Sequence, residues 1–180
     1  MMLLRNPIIW LRRIAKRKGY GIHSPFAFDF VTDVLYNKEQ YYAYRSIDES
    51  LGRWQPRRVR DLHRLAFRLA NYRSPRTLYC PRLAPTLVEA CIKGHKGVEV
   101  LSSGMPPHPA DMIFLDRPDE YATDMVGEGT MVVLCDLPAH SAFWRQICAH
   151  ERISVTFDLY YLGIAFARSD LNREHYIINW

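Results

Sequence analysis

The sequence predicts an α/β fold: helices over the first 74 residues, then a mostly parallel sheet with an antiparallel hairpin near the C-terminus. Three observations carry this. The first part has apolar residues at helical spacing, whereas from residue 76 onward short apolar runs alternate with helical stretches, the order expected of a parallel sheet. The last three apolar runs have short connections, and parallel neighbours need a crossover of about a dozen residues, so at least one antiparallel pair must lie there. Finally, charge divides along the chain. Residues 1–82 carry 17 Lys/Arg against 6 Asp/Glu, a surplus of +11, while residues 83–180 carry 7 against 13, a net −6. Two regions follow, 1–74 helical and 75–180 sheet-forming.

In order, Ile8, Leu11 and Ile14 share one face of a helix over 7–18 that Gly19 stops. Ser24-Pro25 is a helix-start signal, because Ser24 can accept from exposed backbone N–H groups and Pro25 suits the first helical position. Phe26, Phe30, Val31 and Val34 make the apolar stripe of a helix over 25–36. A shorter helix is predicted over 41–51 and a fourth over 59–72, the latter with Arg60, Arg64 and Arg68 in line at i, i+4, i+8. Strands are predicted over 76–80, 98–102, 112–116 and 130–136, with helices over 85–93 and 139–150, then strands over 154–160, 163–168 and 175–180.

Composition excludes several classes. Hydrophobic residues at 48% and charged residues at 24% fit an ordinary compact domain of 180 residues and 21.1 kDa. No apolar run approaches the roughly 18 residues that a membrane-spanning helix needs. Arg5, Asn6 and Pro7 interrupt the apolar start before a signal-peptide core can form, which gives a cytoplasmic expectation. Cys80, Cys91, Cys135 and Cys148 have no CxxC spacing and no adjacent histidine pair, so reduced thiols are expected rather than a zinc site or disulfide framework. The histidines form no HxxxH or HExxH pattern, and no metal is expected from them. His23 and Ser24 are read as a cap rather than a nucleophile and base, and the scattered Trp and Tyr residues as packing groups.

The segments GIHSPFAFDFVTDVL, YYAYRSIDES, LHRLAFRLANYRSPRTL, AFWRQICAHERISVTFDLYYLGIAFAR and EHYIINW together resemble a group of bacterial class I S-adenosylmethionine-dependent methyltransferase-like proteins with a helical N-terminal part. The resemblance implies a reduced Rossmann-like, methyltransferase-type sheet whose strand order lacks the usual outer third strand. It also implies where a cofactor would lie: at Cys80 and Arg82 after the first strand, and at Ser102 and Ser103 after the second. In that fold the first strand ends in an acid and a glycine-rich turn. Here 77–85 reads Thr-Leu-Tyr-Cys-Pro-Arg-Leu-Ala-Pro. It has no glycine, two prolines remove backbone donors, and Arg82 brings positive charge toward a cationic sulfonium. Ser102 replaces the carboxylate that would hold the ribose hydroxyls, and 105–109 leads almost directly into the next strand.

What the resemblance retains is acidic. Asp116 and Asp136 end neighbouring strands, at the edge where ligands gather in such sheets, and are the candidate catalytic residues. The leading expectation is a methyltransferase-like protein with a degenerate cofactor site and no cofactor, a non-catalytic binding, regulatory or structural module for a small molecule or protein. The alternative is an active S-adenosylmethionine-dependent methyltransferase on a small-molecule acceptor, with Asp116 or Asp136 removing the proton. A third reading uses the nine arginines between 53 and 82, set against the single acid Asp61, to bind nucleic-acid phosphates. Docking of that positive surface on the acidic second region, or its simple solvation, is preferred. The first helix also fits an anionic membrane surface, though packing of its apolar stripe is the simpler expectation.

Overall fold

The computed structural model describes residues 21–52, 54–104 and 108–180. The helix expected over 7–18 lies outside them. Ser24 caps the first described helix, α1 (Pro25–Asp29), its Oγ accepting from the Ala27 N–H at 3.4 Å, with Pro25 in the first turn. Beyond Asp29 the chain does not continue in α register but widens into a π-helix, Phe30–Leu35. The Tyr36 N–H reaches the Val31 carbonyl at 2.9 Å, five residues back. The wider turn buries Phe30, Val31, Val34 and Leu35 together. A π segment of this kind is frequent at functional sites, and apolar spacing gives no sign of it.

Helices α2 (Ala43–Leu51) and α3 (Arg57–Arg73) follow, then β1 (Thr77–Tyr79), α4 (Pro85–Ile92), β2 (Glu99–Leu101), β3 (Met112–Leu115), β4 (Met131–Cys135), α5 (Ser141–Ala149), β5 (Val155–Asp158), β6 (Leu162–Phe166) and β7 (Glu174–Ile177). The seven strands form one sheet in the order β2-β1-β3-β4-β6-β5-β7. β2, β1, β3 and β4 are mutually parallel, β6 is antiparallel to both β4 and β5, and β7 is parallel to β5. The expected antiparallel hairpin is therefore present, and the architecture is compatible with a Rossmann-like fold. Between β2 and β3, the described residues 102–104 and 108–111 hold neither helix nor strand.

Period-2 alternation divides the central strands between two cores. Leu78, Met112, Phe114, Val133, Phe157, Ile164 and Phe166 face the helical side, where they join Phe30, Ile47, Leu65 and Phe67 in one continuous cluster. The two regions of opposite charge thus share a core. Phe30 is its centre, with ring centroids 4.8 Å from Phe157 and 4.9 Å from Phe166. The opposite face carries Tyr79, Ile113, Leu115, Val132, Leu134 and Ala165, covered by Ile147 of α5 and by Ala122, Met125 and Val126.

Two expectations about side chains are corrected. Trp54 and Tyr42, read as packing residues, are 96% and 79% exposed. Trp54 lies in the turn before α3, and Tyr42 sits at the N-terminal boundary of α2. Two members of the arginine line on α3 are engaged within the protein. Arg64 forms a bidentate pair with Asp48 of α2, and Arg68 is buried. Docking of positive on negative is seen at the ends of the helical region. The Arg73 Nη2 meets Asp111 Oδ1 at 2.9 Å. Burial opposes ionisation of Asp111, but the Arg76 and Thr77 N–H groups and the arginines outweigh it and hold the carboxyl below its ordinary range.

Candidate functional site

The C-terminal ends of β1, β2, β3, β4 and β5 lie along one sheet edge, and a cleft of about 1250 Å³ opens at part of it. Asp116 follows β3 and Asp136 follows β4; both line this cleft, as the sequence placed them at neighbouring strand ends. The remaining wall comes from α3, from residues 36–40, from the β5–β6 turn and from Trp180. The chain end is fixed there by the Trp180 Nε1–H, which donates to the Leu35 carbonyl at 2.9 Å. The π-helix therefore both fills the core and anchors one wall.

Two non-glycine residues of the cleft hold left-handed backbone, Asp136 at φ 54° and Tyr160 at φ 75°. Such conformations cost about 1–3 kcal/mol each and persist where surrounding structure fixes them. Here the Asp136 N–H donates to the Tyr161 carbonyl at 2.6 Å, and the Tyr160 N–H donates to Asp158 Oδ1 at 2.6 Å. These bonds tie the end of β4 to the β5–β6 turn. Tyr161 presents its ring to the Arg58 guanidinium, 5.2 Å from the centroid.

Electrostatically the floor is crowded with carboxylates. Burial, then the nearby charges of Asp116 and Asp136, push the Cys135 thiol up to about 12 and favour its protonated form. Asp116 is partnered by Arg117 at 3.3 Å, whereas the Asp136 carboxylate has no hydrogen bond or ion pair among the described residues. No group of three His, Cys, Asp or Glu side chains that could hold a metal ion occurs among the described residues.

The four positions assigned to the cofactor do not line this cleft. Cys80 is buried, and burial raises its thiol to about 11. Arg82 adopts φ 59° and turns back onto Asp119 at 3.0 Å. Asp119 also accepts from the Tyr79 hydroxyl at 2.7 Å and from the Tyr121 N–H at 3.1 Å, so the polar side chains at this turn bond to one another. Burial, reinforced by the Asp119 hydrogen bond, raises the Tyr79 hydroxyl far above its ordinary value and keeps it a donor. Ser102 and Ser103 are exposed past the end of β2.

Sequence reasoning missed Asp119 and the placement of Arg68. Tyr79 and Asp119 are 40 residues apart, and no spacing rule connects them. The one signal in the sequence was an arginine in a glycine-free turn, which needs a nearby carboxylate. Comparison with known proteins adds no family assignment: no family model matches this chain, and a search of curated proteins finds no match. No helix among the described residues is long and apolar enough to cross a membrane.

Proposed function

We propose that this chain is a methyltransferase-type scaffold that has given up S-adenosylmethionine and acts as a non-catalytic binding module, taking its ligand in the cleft at the ends of β3, β4 and β5. The observation that carries the reading is the Tyr79–Asp119–Arg82 cluster at the end of β1. It uses the turn's polar groups on one another, and it sets a guanidinium at the turn where the resemblance would put a sulfonium nucleoside. The strand order supports the ancestry. It matches a methyltransferase sheet without its outer third strand and with β7 added at the far edge. Fold alone carries no activity, so the poor fit of this edge to a nucleoside favours binding over methyl transfer. The enzymatic alternative would need Asp136, whose carboxylate has no partner among the described residues, to act on an acceptor with a methyl donor delivered from a closed edge.

Equilibrium dialysis of the full chain against methyl-labelled S-adenosylmethionine tests this. The expected result is no retention at about 100 µM ligand, a concentration at which a working site of micromolar Kd is nearly saturated. Stoichiometric retention would contradict it.

A further inference from the structure

Arg68 is the most buried arginine among the described residues, 9% exposed, and it lines the cleft. Its Nε–H donates to the Val34 carbonyl at 2.7 Å, Nη1 to the Tyr44 hydroxyl at 2.9 Å and Nη2 to the Leu35 carbonyl at 3.3 Å. All three acceptors are neutral. Its neighbour Arg64, one turn earlier, has Asp48; Arg73 has Asp111, Arg82 has Asp119 and Arg168 has Asp170. Arg68 has no carboxylate partner among the described residues. A guanidinium stays charged at any physiological pH, and an uncompensated buried charge is costly to the fold. It also has five N–H donors, of which two are left without an acceptor among the described residues. The Tyr44 hydroxyl, accepting from Arg68, keeps its own proton to donate, and Tyr44 lines the same cleft.

We propose that Arg68 and Tyr44 form an oxyanion subsite, and that the cleft binds an organic molecule carrying a phosphate or carboxylate group on an apolar or aromatic body. The anion supplies the missing counter-charge and accepts the spare N–H and O–H donors, a pairing stronger than one between neutral groups. Lys38 and Arg57 in the same wall add attraction, the latter held only at 3.6 Å to Asp61 and 88% exposed. The body follows from the rest of the lining, where Leu62, Leu87, Leu159, Leu162 and Trp180 offer apolar surface well beyond what a bare anion needs. Asp116 and Asp136 across the cleft disfavour a second anionic group at that end. This deepens the proposed function: it rests on the cleft being the ligand site, and not on the loss of S-adenosylmethionine binding, which the dialysis measures separately.

The test is nitrogen-15 NMR of the full chain labelled at arginine, observing the side-chain Nε–H groups. Phenyl phosphate, benzoate, inorganic phosphate and phenol are titrated at constant ionic strength. The Arg68 signal, identified as the protected resonance missing in Arg68→Lys, is expected to move with phenyl phosphate or benzoate, whichever group the subsite prefers. It is expected to respond far less to inorganic phosphate and not to phenol. Arg68→Lys, which keeps the charge but loses the fork, is expected to weaken the preferred ligand at least about tenfold. No movement with either organic anion, or equal movement with phenol, would overturn the proposal. Should the variant fail to fold, the Arg68 Nε–H is assigned instead by its through-space contacts to Val34 and Tyr44, and its movement or lack of movement with the organic anions still decides between the two results.

Discussion

At the residue scale, environment rather than residue type decides what a group does here. His63 of α3 illustrates it. Its Nδ1 faces the Val59 carbonyl at 2.7 Å, which can only accept, so Nδ1 carries the proton; Nε2, 3.0 Å from the Thr86 Oγ1, then accepts from that hydroxyl. The ring bridges α3 to α4 as a neutral imidazole, and burial holds its pKa below the ordinary histidine value, against the opposing pull of the Val59 carbonyl. Because the folded pKa is the lower one, the unfolded chain takes up the proton first. The stabilisation is complete above about pH 6.5 and declines as pH falls toward the folded value. Urea unfolding at about pH 7.5 and about pH 5 is expected to show a lower midpoint at the acidic pH, and His63→Gln is expected to remove part of that difference. The histidine was visible in the sequence only as a single; its partner Thr86 is 23 residues away.

At the element scale, β6 shows how a strand is fitted to unlike faces. Leu162, Ile164 and Phe166 point to the aromatic core under α1, while Gly163, Ala165 and Ala167 point to α5. Glycine at 163 is required by the indole of Trp144, since a Cβ built there would come within 2.7 Å of its ring carbons. Gly163→Ala is therefore expected to destabilise by about 1–3 kcal/mol through overpacking, read as a lower urea midpoint with an unchanged slope. The strands themselves were legible, because alternation and length suffice to mark a buried strand. Most of their ends came out a residue or two short of the expected bounds, as at β1, which stops at Tyr79 before the chain turns through Arg82, whereas β6 and β7 begin one residue earlier and β7 ends three residues earlier than expected. The π register of Phe30–Leu35 was not legible, because the same apolar residues satisfy an α-helical stripe; in the wider turn Phe30 packs against Phe157 and Phe166.

At the scale of the whole molecule, charge asymmetry along the chain announced two regions but not how they meet. They join through one apolar core, with Arg73 to Asp111 as an ionic link between them. The arginines most central to α3 turn instead into the helical region itself. Of the candidate site, the placement of Asp116 and Asp136 beside one cleft was legible because strand ends converge at one edge of a parallel sheet. The separation of the cofactor positions from that cleft was not, since it depends on Asp119 reaching back from the loop after β3 to close the β1 turn.

The proposed loss of S-adenosylmethionine stands or falls on whether this closed turn excludes the nucleoside, and a crystal structure of the full chain grown with saturating S-adenosylhomocysteine decides it. An intact Arg82–Asp119 pair is expected, with no nucleoside density along the ends of β1 and β2. Density for the nucleoside between Pro81 and Ser102, with Arg82 swung away from Asp119, would contradict the proposal.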